Sequence, residues 1–444
     1  MNAFKKAGLS GRYWVFEDSE LGVASALAAR DVWKFNEVWV VGVATEADQV
    51  IRDLTEFRFV TMERIYQNLV QGFDCVASQQ LTDFLMTRFG LMGEELEFQN
   101  SEVSLNSFKG VFVAEGQRYF FKTHIELGGE VSEYAGAELL GEAGYPVVTP
   151  VFVSNEQGRE LLVYLFVEAP SLFELVREGR VSDEVRRAQT QLDRMLFEIY
   201  KKTFQMEESP QFPEVQQLFY RRLAGGRFAE FYQGKTRELG GRMVSFEDFE
   251  VMEWVVNGVS CGVPGEWLAR ARDCLSPQAM LPFTVVGHGD AHNGNLFYEN
   301  EGLRYFDPAY AGRMDPFLDL AKPLFHNTWA RWMYFPEKVE ATFDVAVRWG
   351  EGRILIDHTA FPDEVEQFFF DSKMREVVGP LLDFLREKDC LPFDWQDRLR
   401  SALLCCPLLT VNLFDESRYS SAMASLGLAR VAEMATFDFN PYLS

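Results

Sequence analysis

Apolar and polar residues alternate with different periods in four successive zones of the chain. In residues 1–58, apolar runs of strand length at 13–16 and 38–43 alternate with helix-spaced stretches at 21–29 and 47–57. Residues 59–95 keep helical spacing and read as a connector. Residues 96–168 are strand-rich. Within them, 110–114 and 117–122 flank the dipeptide Glu115-Gly116, a turn signal that predicts an antiparallel hairpin, and 161–167 supplies another strand. From 169 to 444 the pattern is mostly helical, interrupted by short apolar strands at 283–286 and 303–306. The glycine-containing segment 224–241 and the proline-containing segment 207–213 read as surface connections.

At 444 residues the chain has room for roughly two or three domains, and its forty Phe residues imply aromatic-rich cores. A formal net charge of −24 argues against nucleic acid as a partner, because no basic stripe is present to displace counterions from phosphates. The same charge disfavours anionic membrane surfaces, and it leans toward a neutral or cationic small molecule. The six cysteines, at 75, 261, 274, 390, 405 and 406, form no CxxC pair, and the five histidines make no zinc pattern. Adjacent Cys405 and Cys406 lie in an apolar run and read as core thiols. The first residues are polar and do not read as a secretory leader, and no apolar run is long enough to span a bilayer. A reducing, cytoplasmic setting is the expectation.

The chemistry concentrates in one stretch. The chain reads Val286-Gly287-His288-Gly289-Asp290-Ala291-His292-Asn293-Gly294-Asn295-Leu296 and then, one strand later, Tyr305-Phe306-Asp307-Pro308. Apolar strands on both sides would hold the polar residues on a loop between rigid supports. A hydroxyl that attacks a phosphoryl group needs a carboxylate within hydrogen-bond reach to take its proton, and Asp290 is the candidate base. Asn295 supplies a neutral amide oxygen and Asp307 a charged one, both hard donors suited to Mg2+. His288 would steady the loop by hydrogen bonding, while Gly289 and Gly294 would permit tight turns. A polar turn between two core strands is the plain alternative, and it leaves these residue types at these offsets unexplained. The residues point to phosphoryl transfer onto a small molecule.

HGDxHxxN followed by a strand ending in Asp is similar to the aminoglycoside phosphotransferase and choline kinase family, relatives of the protein kinases. The resemblance implies an α+β, protein-kinase-like fold: a small antiparallel-sheet lobe at 96–168 and a larger, mainly helical lobe at 169–444. It implies ATP and Mg2+ as cofactors, Asp290 as base, and Asn295 and Asp307 as metal ligands. Asp319, in Asp319-Leu320-Ala321, matches the family's carboxylate that supports the loop through backbone hydrogen bonds. Asp315, four residues earlier, reads as a first-turn charge. Gly289 stands where protein kinases carry Arg, which resembles the branch not switched on by activation-loop phosphorylation.

The smaller lobe of that family carries a lysine that pairs with nucleotide phosphates, oriented by a helical Glu. Lys122, closing the apolar run Tyr119-Phe120-Phe121, stands in its place. The partner falls on Glu133, with Glu138 and Glu130 as alternatives. The connection through Phe166, Val167 and Glu168 resembles the hinge between lobes, where adenine would hydrogen-bond to backbone groups; Val113, Phe120 and Phe297 are candidate adenine walls. The phosphate-covering loop falls at 104–110, which offers a single glycine, and no Walker-type GxxxxGK[ST] occurs. In the family, the region between hinge and Asp290 loop, together with the C-terminal helices, forms the acceptor pocket. Trp254, Trp329, Trp332 and Tyr334 would serve there as a cation-binding wall or as ordinary core aromatics.

Near the N-terminus, Val15-Phe16-Glu17-Asp18-Ser19-Glu20-Leu21-Gly22-Val23-Ala24 resembles the last motif of haloacid-dehalogenase-like phosphatases, with a likeness that extends over about fifty residues. That family also needs a nucleophilic aspartate on an earlier strand, which the few preceding residues do not supply. Glu17 and Asp18 are therefore not expected to hydrolyse phosphoesters alone. A remnant, a partial α/β appendage completed by a partner chain, and the end of a longer product all fit.

The combined expectation is an ATP- and Mg2+-dependent kinase for a hydroxylated small molecule. A nucleotide-binding pseudokinase that acts as scaffold or sensor is the alternative. The acceptor, the choice of ATP over GTP and the oligomeric state are not written in these residues.

Overall fold

The computed structural model describes residues 61–99, 108–123, 133–156 and 158–443, together with the backbone of the strands Tyr13–Glu17, Val38–Val43 and Gln49–Ile51. Of residues 133 and 134 it describes the backbone. The chain forms two compact units, one made of residues 1–108, 123–125 and 154–161, the other of 109–122, 126–153 and 162–444.

In the first unit the three N-terminal strands pair in parallel, with Val38–Val43 in the middle. Gln49–Ile51 replaces part of the helix expected over 47–57: Val50 and Ile51 are β-branched, and their side chains suit a pleated strand better than a helical turn. Asp18, the stretch 21–29 and the Glu17 side chain lie outside the described residues. Two helices follow. Met62–Val70 is N-capped by Thr61, whose Oγ1 accepts from the Arg64 N–H at 3.1 Å. Asp74–Phe89 ends at Gly90 in the left-handed region, φ +72°. Their apolar residues recur three and four apart, so Met62, Ile65, Leu81, Phe84 and Leu85 are buried together.

The second unit opens on the predicted hairpin, Lys109–Ala114 with Gln117–Lys122, closed by Glu115 and Gly116, both at positive φ as a two-residue turn requires. Leu161–Leu165 adds antiparallel to Gln117–Lys122. The α+β class is observed: this antiparallel sheet precedes a larger and mostly helical region. There the helices Pro316–His326, Trp395–Thr410 and Ser421–Ala435 are buried along most of their lengths and carry the core. The strand Phe283–Gly287 runs through this core as the middle of a three-stranded antiparallel sheet, every residue buried.

Two readings of the helical region are corrected. A four-stranded sheet stands within it, in the order Val259–Gly262, Glu253–Val256, Arg353–His358, Val345–Gly350. Its strands alternate with period two, and Trp254, Val256, Ile354 and Ile356 bury one face. The segment 224–241 is not a surface connection: it holds the helix Gly226–Tyr232 and the strand Thr236–Leu239, and Tyr232 and Leu239 are fully buried. Trp254, Trp329 and Trp332 are core aromatics. All six cysteines are free thiols, with Cys405 and Cys406 buried. No helix among the described residues is long and apolar enough to cross a membrane.

Helix packing is close at Gly427, where a Cβ would lie 2.5 Å from Leu413 Cδ2 and 2.8 Å from the Trp332 ring. Ala is favoured over Gly in a helix by about 1 kcal/mol, and overpacking costs about 1–3 kcal/mol, so the clash outweighs the propensity. Gly427→Ala is expected to lower stability by about 1–2 kcal/mol in urea denaturation; a gain in stability would show that the Trp332 ring yields freely.

Candidate functional site

The strand Phe283–Gly287 delivers the chain to the Asp290 loop, and the second unit holds it from several directions. The Tyr145 hydroxyl donates to the Val286 carbonyl at 2.9 Å. Asp319, 2% exposed, accepts the Gly289 N–H at 2.6 Å on one oxygen and the Tyr200 hydroxyl at 2.5 Å on the other. The approach is close enough to require both glycines. A Cβ on Gly287 would lie 2.7 Å from the Asp319 carboxyl carbon, and one on Gly289, at φ +82°, would lie 2.6 Å from the Tyr310 carbonyl oxygen. Burial, reinforced by the Asp319 charge, pushes the Tyr145 and Tyr200 hydroxyls well above the usual phenol range, so both remain donors.

His288 is fully buried. Its Nδ1 faces the Asp290 N–H at 3.4 Å and its Nε2 lies 3.0 Å from the Phe306 carbonyl oxygen, which fits a proton on Nε2. The loop then tightens into a short 3-10 turn, Asn293–Asn295, in which the His292 ring caps the Gly294 N–H at 3.0 Å. The Asn293 N–H donates to Asn327 Oδ1 at 2.8 Å.

From Asn295 the chain enters a hairpin, Leu296–Glu299 with Gly302–Tyr305, turned by Asn300 and Glu301 at positive φ. The hairpin brings the distant parts of the motif together: the Phe306 N–H donates to the Asn295 carbonyl at 2.9 Å, which sets Asp307 beside the Asn295 turn. Asp307 sits at φ +56°, a left-handed conformation that Asp tolerates better than most residues. Lys122 Nζ, on the end of the sheet strand, pairs with Asp307 Oδ1 at 2.6 Å. Residues 146–148 lie along the hairpin, with Tyr305 N–H to Pro146 O at 2.7 Å and Val148 N–H to Tyr305 O at 2.8 Å. The helix Glu133–Ala143 approaches the same corner through Gly136, where a Cβ would lie 2.5 Å from the Pro308 carbonyl oxygen.

Lys122, His288, Asp290, Asn295, Asp307 and Asp319 are therefore joined by this loop, the hairpin and the bonds between them. Glu138 is exposed; the Glu133 side chain, Glu130 and residues 104–107 lie outside the described residues. Phe166, Val167 and Glu168 follow the strand Leu161–Leu165, and the Tyr298 N–H donation to the Pro170 carbonyl docks that connection on the hairpin. The Phe166 N–H already donates to the Arg118 carbonyl at 3.0 Å, and Arg118 stacks on the Phe166 ring. Phe120 and Phe297 pack in one apolar cluster with Val148, Leu162, Tyr164, Val167 and Phe306; Val113 is outside it. Asp315 is more than a first-turn charge: it is the N-cap of Pro316–His326, accepting the Phe317 N–H at 2.8 Å, and it pairs with Arg398 at 3.2 Å in the interior.

Asp290 keeps one committed and one open side. Asn295 Nδ2 donates to its backbone carbonyl at 2.9 Å, but its own Oδ1 is buried without a hydrogen bond among the described residues. Lys322 Nζ stands 3.9 Å from that oxygen and His292 Nε2 stands 3.8 Å from the other. Burial holds His292 below its ordinary value, hence neutral at pH 7. Sequence reasoning passed over Tyr145, Tyr200, Lys322 and His326. Lys322 had left a signal, a cation inside the otherwise apolar run Phe317–Phe325 that a buried helix does not carry without a reason; the tyrosines had left none. No three His, Cys, Asp or Glu side chains converge as a metal cluster among the described residues.

No protein-family model and no curated protein matches the chain. Several solved structures are loosely similar to it. An amicoumacin kinase in complex with AMP-PNP and Ca2+ is 14% identical, with 82% of this chain and 96% of that one covered and a TM-score of 0.48. A spectinomycin phosphotransferase with ADP and spectinomycin is 15% identical over 80% and 98%, TM-score 0.38. An aminoglycoside phosphotransferase with ADP and hygromycin B is 14% identical over 79% and 97%, TM-score 0.42. Likenesses this loose assign no role to any residue here.

Tyr200→Phe removes a charge-assisted bond to a buried carboxylate, and such bonds contribute about 1.5–3 kcal/mol. A loss of that size in chemical denaturation is expected, and an unchanged midpoint would mean that Asp319 does not depend on Tyr200.

Proposed function

We propose that the chain is a small-molecule kinase that moves the γ-phosphoryl group of ATP to an acceptor hydroxyl. The observation that carries this reading is the 2.6 Å ion pair between Lys122 and Asp307, which ties the sheet lysine to the end of the hairpin that also bears Asn295 and follows Asp290. Scaffolding alone calls for no such convergence.

Adenine fits against the apolar cluster of Phe120, Val148, Leu162, Tyr164 and Phe306. Because the Phe166 N–H is engaged by Arg118, the Phe166 carbonyl and the backbone of Val167 and Glu168 are the parts of the hinge left to bond the base edge. Lys122 is placed to exchange Asp307 for phosphate oxygens. The donor set fits a divalent cation of the magnesium kind: Asn295 commits its amide nitrogen to a backbone carbonyl and keeps its amide oxygen uncommitted, and Asp307 adds a carboxylate. Two protein oxygens completed by phosphates are the usual Mg2+ arrangement. Bound there, the ion would neutralise charge on the phosphates during transfer.

Asp290 supplies the remaining function. Its buried Oδ1, without a hydrogen bond, is an acceptor waiting for the acceptor hydroxyl. The hydroxyl oxygen attacks phosphorus in line, the bond to the β-phosphate oxygen breaks, ADP departs, and the proton passes to Asp290 late in the step. The backbone bonds of the loop and the Asp319 clamp hold that carboxylate still, so that positioning, not a covalent intermediate, carries the rate.

Asp290→Asn is expected to lower kcat at least about 100-fold while nucleotide affinity stays within a few-fold. Lys122→Met is expected to weaken ATP binding in thermal-shift titration. Radiolabelled transfer from ATP to a panel of hydroxylated metabolites is the assay. Undiminished transfer by Asp290→Asn would sink the base assignment, and ATP binding without turnover across the panel would favour a scaffold or sensor.

A further inference from the structure

We infer that Tyr334 binds the acceptor, donating its hydroxyl proton to an oxygen of that molecule other than the one that is phosphorylated. The inference rests on the kinase reading and adds a specificity-determining residue to its acceptor side.

Lys322 sets the direction of a short hydrogen-bond chain. It is buried, and its ammonium donates to His326 Nε2 at 3.3 Å and to Thr410 Oγ1 at 3.4 Å. An ammonium has donors and no acceptor, so Nε2 presents its lone pair; an N–H there would point at another N–H. Burial, and then the charge of Lys322, holds His326 well below its ordinary value, so the ring is neutral and carries one proton. That proton therefore sits on Nδ1, which lies 2.6 Å from the Tyr334 hydroxyl. His326 is the donor in this bond and the tyrosine oxygen accepts. Burial, and then the charge of Asp290, holds Tyr334 above the usual phenol range, so the hydroxyl keeps its own proton. It makes no other hydrogen bond among the described residues. A donor is thus fixed in place and left unspent.

Two sets of contacts tie that donor to the Asp290 loop. On one side, the Lys322 ammonium at the head of the chain stands 3.9 Å from Asp290 Oδ1. The His326 ring lies 5.5 Å, centroid to centroid, from the ring of His292, whose Nε2 is 3.8 Å from Asp290 Oδ2. On the other side, the Tyr334 ring packs edge-on against Phe173 at 5.2 Å. Phe173 belongs to the helix Leu172–Arg177, which packs against the Asn293–Asn295 turn. Phe335 stacks on Phe173 at 6.1 Å, and all three rings are half-buried. Aromatic walls with one placed polar group are the usual make-up of a small-molecule site. Asp290 takes the proton of the attacking hydroxyl, and Tyr334 gives a hydrogen bond to the same molecule. Donation to the attacking oxygen would draw on the lone pairs it needs for phosphorus, so the bonded oxygen is a different one. Acceptors with a second oxygen are thereby favoured over simple alcohols.

The direction of the chain is tested without any acceptor. In 15N-histidine NMR of the full chain, with His326→Gln to assign the signal, His326 is expected as the Nδ1–H tautomer. The Nε2–H tautomer would mean that Tyr334 spends its proton on His326, and it overturns the inference whatever the enzyme does. Binding is tested by radiolabelled transfer to the panel of hydroxylated metabolites, extended by pairs with and without further oxygens: glycerol and 1-propanol, myo-inositol and cyclohexanol, serine and ethanolamine. The oxygen-rich member of a pair that reacts is expected to lead in kcat/KM by roughly ten-fold or more. On the best acceptor, Tyr334→Phe should raise KM roughly five-fold or more, with kcat and the KM for ATP moving less. A purely structural role would shift all three together. An unchanged acceptor KM, or equal use of both members of a pair, overturns the inference and leaves the kinase reading standing. Should Tyr334→Phe fail to melt cooperatively, the wild-type pairs and the tautomer decide. Transfer to no compound removes the kinase reading, and the acceptor role of Tyr334 falls with it.

Discussion

A single buried carboxylate holds the site in place. Asp319 is removed from water and charged, a state that is tolerated only because donors surround it: the Gly289 amide on one oxygen and the Tyr200 hydroxyl on the other. Each of those bonds also fixes something else. The Gly289 amide belongs to the residue before Asp290, so the position of Asp319 sets where the Asp290 backbone begins. Tyr200 lies on the long helix Asp183–Thr203, so the loop is referred to a rigid element and not to its own turns. The two glycines of Gly287-His288-Gly289 follow from this clamp, because no side chain fits between strand, Asp319 and the Tyr310 carbonyl.

The hairpin is the second constraint. Its register sets Leu296 opposite Tyr305, so the residues just outside its ends, Asn295 and Phe306, meet and bond. Asp307 then follows in a left-handed conformation, which costs on the order of 1 kcal/mol and persists only where other contacts insist on it. Here the insistence comes from both sides. His288 Nε2 donates to the Phe306 carbonyl within the loop, and Lys122 pairs with the Asp307 carboxylate from the sheet.

What was legible in the sequence is what lies close along the chain. His288, Asp290, Asn295 and Asp307 stand within a short stretch between apolar strands, so their types and offsets carried the information. The hairpin around Glu115-Gly116 was legible for the same reason. The four-stranded sheet was not, because one of its pairs is a parallel one between Glu253–Val256 and Arg353–His358, far apart in sequence. Local alternation in those strands competed with helical neighbours and lost in the reading. Tyr200 and Tyr145 were invisible on similar grounds: a tyrosine among apolar neighbours looks like core until its hydroxyl is seen to reach Asp319, as that of Tyr200 does, or the Val286 carbonyl, as that of Tyr145 does. Asp315 misled because capping and burial look alike in a one-dimensional pattern, and only Arg398, distant in sequence, tells them apart.

The charge of the chain illustrates the same point on a larger scale. A net charge of −24 speaks of the surface, where water and salt screen each charge over about 8 Å. Inside the fold the balance is struck by a handful of groups. Near Asp290 a cation, Lys322, stands 3.9 Å away, together with His292, which burial keeps neutral. That cation also serves the proposed chemistry. A carboxylate that faces a cation at 3.9 Å, without a hydrogen bond to it, retains an oxygen for an incoming hydroxyl. Were Lys322 closer, it would occupy that oxygen; the His326 and Thr410 contacts hold the ammonium back.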